Sequence, residues 1–262
     1  MKHSIHKKDR RLAVMQNYFS DIPNIGNTLD LVAFADRSQI KKNRISDFAD
    51  LLKDESDYNT KLINLDTLQT EEFSDLFESV LMRVVQSSSK EKHRRFRDIL
   101  INQMLCPNIN VDSAEIYLDL ISSLSEAEIT ILHHFNLFYI KLKPIKQNLV
   151  RHNNKLEQLR ERLEPERELK AAGYANNYLS LIAEIDGVNN LIASENEKIT
   201  SGRHRLEAPY YNITEDQFLY FKQRLFSRGL LVDTGIGGIG VEPFEYMSIT
   251  QFGREFMEYI IR

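Results

Sequence analysis

A few residue sets in this chain have types and spacing that could do chemistry. Gly235, Gly237 and Gly240, within "DTGIGGIGVEP", stand in the G-x-G-x-x-G spacing that brings backbone amides to a pyrophosphate. Lys90, Arg94, Arg95 and Arg97 crowd the stretch "KEKHRRFR", and Lys222, Arg224 and Arg228 recur through "FKQRLFSRG". Cations grouped in this way meet phosphates or an acidic partner. Seven histidines and the single Cys106 are the candidates for metal or nucleophilic work.

The elements around each set decide between these chemistries. A phosphate-binding glycine loop must open a helix at once, so that the helix N-terminus meets the anion. Here the glycines are followed by "VEPFEYMSIT", a β-like run interrupted by Pro243. The glycines are therefore expected at the tip of a β-hairpin. No histidine stands in H-E-x-x-H or another metal spacing, and the adjacent His133 and His134 diverge by about 100° on a helix. His133 is expected as a satisfied residue of a helix seam and Cys106 as a buried structural thiol. One cysteine excludes an internal disulfide and a cysteine-rich zinc site, and it fits a reducing, cytoplasmic setting. There is no G-x-S-x-G, P-loop or kinase motif. No catalytic, cofactor-binding or metal-binding residue is expected, and no cofactor.

The chain is 262 residues long, 42% hydrophobic and 27% charged, with a formal net charge of −4. That composition is globular, and it offers no overall basic field for nucleic acid. The first eleven residues are locally basic, with five Lys and Arg against Asp9 alone. No apolar run is long enough to span a membrane.

Most of the chain reads as helix. Leu29, Val32 and Ala33, then Ile40, Arg44, Ile45, Phe48, Leu51 and Leu52, recur at helical spacing up to a polar break at "DESDYNT". Thr70 is expected to cap a helix buried along Phe73, Leu76, Phe77, Val80, Leu81 and Val84. The next helix buries Phe96, Ile99, Leu100 and Met104, and a shorter one is capped by Asp112 or Ser113. Ser125 with Glu128, and Thr214 with Gln217, spell capping boxes for two further helices.

Between those boxes the apolar residues keep a seven-residue rhythm. Ile145, Leu149, Leu156, Leu159 and Leu163 mark one arm, and Leu181, Ile185, Val188, Ile192 and Ile199 the other, with His152 and Glu195 as imperfect seam positions. Pro165 and Gly173 lie in the link, the first expected to begin a new helical turn and the second to end one. An antiparallel coiled-coil hairpin follows, its arms pairing within one chain or between two.

The expected fold is mainly α. Residues 1–20 form a basic tail and 21–123 a helical bundle. Residues 124–262 form a winged-helix-like domain with the coiled coil inserted at about 140–206. In that domain residues 215–228 stand as the recognition-type helix and 230–250 as the β-hairpin wing, while the short middle helix is not separately visible. The chain resembles a loose set of uncharacterised bacterial proteins through "IPNIG" with "KNRISDF", "SSKEKHRRFRDILIN", and "GLLVD" with "YMSITQFGREFMEYI". The resemblance implies a helical module with a winged-helix-like end, sometimes near defence or mobile-element genes, and implies no activity.

Three function classes follow. The first is a non-enzymatic protein-interaction module, docking a protein partner or a second copy as a homodimer. Glu215 and Asp216 on the recognition-type helix and a wing without Lys or Arg favour it over duplex DNA. The second is a nucleic-acid-binding regulator acting through Lys222, Arg224, Arg228 and the Lys90, Arg94, Arg95 and Arg97 stripe. The third is a metal-dependent hydrolase or nuclease built from dispersed carboxylates.

Overall fold

The computed structural model describes residues 39–59, 70–105, 111–174 and 177–261. The basic tail, Leu29, Val32, Ala33 and Cys106 lie outside the described residues. The protein is mainly helical, with a small two-stranded antiparallel sheet near its C-terminus. Among the described residues, no helix is long and apolar enough to cross a membrane. The chain divides into two compact units, one of residues up to Ile129 together with Glu255 onward, the other Thr130–Arg254.

The first unit packs α1 (Gln39–Asn59), α2 (Glu71–Gln86), α3 (Lys90–Leu105) and α4 (Val111–Ser123) on one another. Thr70 caps α2 by accepting from the Phe73 amide at 3.2 Å, a contact that contributes about 1 kcal/mol. The expected stripes of α2 and α3 are buried, Phe73, Leu76, Phe77, Val80, Leu81 and Val84 on α2 and Phe96, Ile99, Leu100 and Met104 on α3, while on α1 Ile45, Phe48 and Leu52 are buried and Ile40 is exposed. Arg44 reaches from α1 to the Val85 carbonyl at 2.7 Å, which supplies a donor to the C-terminal turn of α2. His93 is buried, and its Nε2 donates toward the carbonyls of Ser87 and Val84 at 3.0 and 3.2 Å. The last residues of the chain complete this core. Tyr117 meets the rings of Phe256 and Tyr259, and Tyr259 accepts on its carbonyl from Asn102 and donates from its hydroxyl to Gln103.

Two expectations change here. The polar stretch at residues 54–60 does not break α1, which runs to Asn59, because helix propensity is a weak local term once several turns are already formed. Asp112 and Ser113 are not caps; α4 begins at Val111 and includes both.

The helix α5 (Glu126–Ala171) starts in the first unit at the Ser125 box, where Glu128 accepts from the Ser125 amide and hydroxyl at 2.8 Å. It continues through the second unit without interruption, so Pro165 lies inside it and begins nothing. Pro144 lies inside it as well. Each proline removes one N–H from the ladder. Both prolines are exposed, so their rings face solvent, and burial along the opposite face of the helix offsets the lost bonds. Gly173 follows with φ +80, and α6 (Tyr178–Arg203) returns.

Two short 3₁₀ turns, His204–Leu206 and Ala208–Tyr211, precede α7 (Glu215–Ser227). The Thr214 and Gln217 box is formed in both directions at 3.2 Å. Strand β1 (Leu231–Asp233) pairs antiparallel with β2 (Met247–Ile249), Leu231 facing Ile249 and Asp233 facing Met247. Helix α8 (Gln251–Ile260) follows directly. Gly253 allows a close approach there, since a Cβ at this position would fall 2.4 Å from the Leu230 carbonyl oxygen.

Candidate functional site

The glycine loop between β1 and β2 is organised by one carboxylate. Asp233 is only 7% exposed. Its Oδ1 accepts from the Gly235 amide at 2.8 Å and its Oδ2 from the Phe244 amide at 2.7 Å, so it ties together the two ends of the loop. Phe244 takes an unusual left-handed conformation, φ +66. It is held there from three sides, because the Lys222 ammonium donates to its carbonyl at 2.7 Å and its ring meets Phe226 edge-on at 5.4 Å. Thr234 donates from both amide and hydroxyl to the Tyr246 carbonyl. Gly237 and Gly240 supply the turns at positive φ.

This is not a phosphate cradle. The Gly235 and Gly238 amides are spent on Asp233 and on the Gly235 carbonyl, and a strand follows instead of a helix. The loop instead presents a braced tip bearing Ile236 at 75% exposure and Ile239 fully exposed, with the exposed Glu242 and Glu245 beside them.

The paired helices form the second feature. Leu156 and Leu159 of α5 and Leu181, Ile185 and Val188 of α6 make one buried cluster, with Leu163 and Ile192 packed against it. The polar contacts show the direction. Asn148 donates to Glu195 at 3.3 Å, Glu166 accepts from the Asn177 amide at 3.0 Å, and Lys170 lies 4.1 Å over the Tyr178 ring. Asn148, early on this stretch of α5, meets Glu195 late on α6, whereas Glu166 and Lys170 near the end of α5 meet Asn177 and Tyr178 where α6 begins, so the helices run antiparallel within one chain. Ile145, Leu149 and Ile199 are only half-buried, towards the root where the tight packing ends. Glu195 is buried, with Oε1 held by Asn148 and Lys198.

The basic residues are largely engaged within the fold. Arg95 donates to both oxygens of Glu126 at 2.8 and 2.6 Å, Arg97 to Asp98, and Arg94 to Glu91. Lys90 is exposed at the start of α3. Lys222 is bound to Phe244, sits 5.2 Å over the Phe218 ring, and has its pKa lowered by burial although Glu215, Asp233 and Glu245 pull the other way. Arg224 lies 5.8 Å from the Tyr220 ring centroid and Arg228 is exposed at the end of α7. The structure thus brings Lys222 to the loop and does not gather the α3 cations into an unpaired stripe.

An aromatic group lies where the 3₁₀ turns meet α5. Tyr211 donates to the Arg205 carbonyl at 2.7 Å, so the His134 Nδ1 at 2.8 Å must donate to the Tyr211 oxygen. The neutral ring then carries its proton on Nδ1, and burial, then His133 and Arg205, lower the His134 pKa. Burial raises the Tyr211 pKa. Tyr211 also stacks on Phe218. His133 does not behave as a satisfied seam residue. Its Nδ1 is buried with no hydrogen-bond partner. Among the described residues, no group of three or more His, Cys, Asp or Glu is placed to hold a metal ion.

Asp233 is the loop-organising residue that the sequence analysis does not single out. The signal was present in "DTG", since an Asp two residues before a Gly is an Asx-turn pattern. Compared with protein-family models, curated proteins and solved structures, the chain matches none.

Proposed function

We propose that this protein is a non-enzymatic interaction module whose β1–β2 loop acts as a wing that docks protein, with a second copy of the chain as the partner. The observation that carries this reading is the braced loop with bare apolar residues at its tip. Asp233, Lys222 and Phe226 hold the loop rigid, while Ile236 and Ile239 stay in solvent. A preorganised apolar tip loses little entropy on docking. In the same reading α5 and α6 form an antiparallel coiled-coil arm. The start of α5, the 3₁₀ turns, α7 and the strand pair correspond to a winged-helix-like end. Lys222 is occupied by the Phe244 carbonyl, and the loop from Gly229 to Thr250 carries no Lys or Arg, which weighs against phosphate recognition. The resemblance to bacterial proteins adds a defence or mobile-element setting to the proposal.

Light scattering across protein concentration tests the wing. A dimer for the wild type that dissociates in the Ile236→Asp, Ile239→Asp double variant is expected. A dimer indifferent to both substitutions would overturn the role of the tip.

A further inference from the structure

A cavity of about 680 Å³ opens at the root of the α5–α6 pair. Its size is that of a small-molecule site rather than a packing defect. One wall is apolar, made by Leu137, Phe138, Leu142 and Ile145 of α5. Phe138 lies against α6 at Gly202, where a Cβ would come within 3.0 Å of the ring, so this wall depends on the missing side chain. The rim is cationic, with Lys141 from α5, Lys198 from α6 and Arg205 from the following 3₁₀ turn, against Glu197 alone. Lys198 has Glu195 at 3.1 Å, whereas Lys141 and Arg205 have no ion-pair partner among the described residues. His134 also lines the cavity, and its ring is oriented by Tyr211.

We infer that this cavity is a binding site for a small organic anion, a carboxylate, sulfonate or phosphate carried on an apolar body. The apolar wall accounts for the body. The Lys141 and Arg205 side chains account for the charged head, as a guanidinium and an ammonium lining the same cavity favour an anionic oxygen. The site is separate from the wing tip and does not depend on what the wing docks.

The probe is 1-anilinonaphthalene-8-sulfonate, an aromatic body with one sulfonate, titrated by fluorescence beside uncharged N-phenyl-1-naphthylamine. Saturable one-to-one binding of the sulfonate is expected, with the uncharged analogue binding more weakly. Lys141→Glu with Arg205→Glu should weaken the sulfonate by about tenfold or more, the effect of losing a charge-assisted hydrogen bond. Both residues are exposed, so the thermal midpoint should stay where it is in the wild type. Ile239→Ser serves as the control and should leave binding unchanged. Binding that survives the charge reversal, that is equal for the uncharged analogue, or that is lost on Ile239→Ser would overturn the assignment.

Discussion

At the scale of single residues, the loop depends most on Asp233. Asp233→Ala would leave the Gly235 and Phe244 amides without their acceptors and release Phe244 from its left-handed conformation. A loss of about 2 to 3 kcal/mol is expected, since hydrogen bonds to a charged acceptor are the stronger kind. Chemical denaturation measures the loss, and hydrogen exchange should quicken at those two amides; unchanged exchange would contradict the role. His93 sets a pH dependence. Burial lowers its pKa from the ordinary 6.5, outweighing the two carbonyls it faces, so folding favours the neutral ring. The contribution is whole above pH 6.5 and is lost as pH falls below it, because the unfolded chain takes the proton first. Burial lowers His133 and His134 in the same direction. The thermal midpoint should therefore fall on the acid side of neutrality, and His93→Gln should make that fall shallower.

At the scale of elements, the local signals were legible and the long-range ones were not. The Thr70 cap, the Ser125 box and the Thr214 box form where the residue types place them, because a cap is complete within four residues. The apolar stripes of α2 and α3 are buried for a similar reason, since helical periodicity alone sets which face is dry. Pro165 misled because a helix packed along one face tolerates a proline on the other. The root cavity was invisible for another reason. Its walls come from residues sixty positions apart, and they meet only because α5 continues through Pro144. The close contact of α8 with the strand pair is likewise tertiary, and it yields an element-level prediction. Gly253→Ala should cost about 1 to 3 kcal/mol, because the added methyl must push against the Leu230 carbonyl. Denaturant midpoints measure this, and an unchanged midpoint would show that the backbone yields freely.

At the scale of the whole molecule, charge distribution argues for protein over nucleic acid. The net charge is −4, the α3 arginines are occupied by Glu126, Asp98 and Glu91, and Lys222 is held by a backbone carbonyl. A phosphate partner would have to displace these contacts, whereas an apolar partner meets Ile236 and Ile239 already bare. The most direct measurement is light scattering of the purified chain with and without short duplex and single-stranded DNA, at low and moderate salt. A protein-docking module gives a dimer whose mass is the same with either DNA at both salts. A heavier complex with DNA that dissolves as salt rises, with a slope of about 0.9 per phosphate contact on duplex, would contradict it and make the protein a nucleic-acid binder.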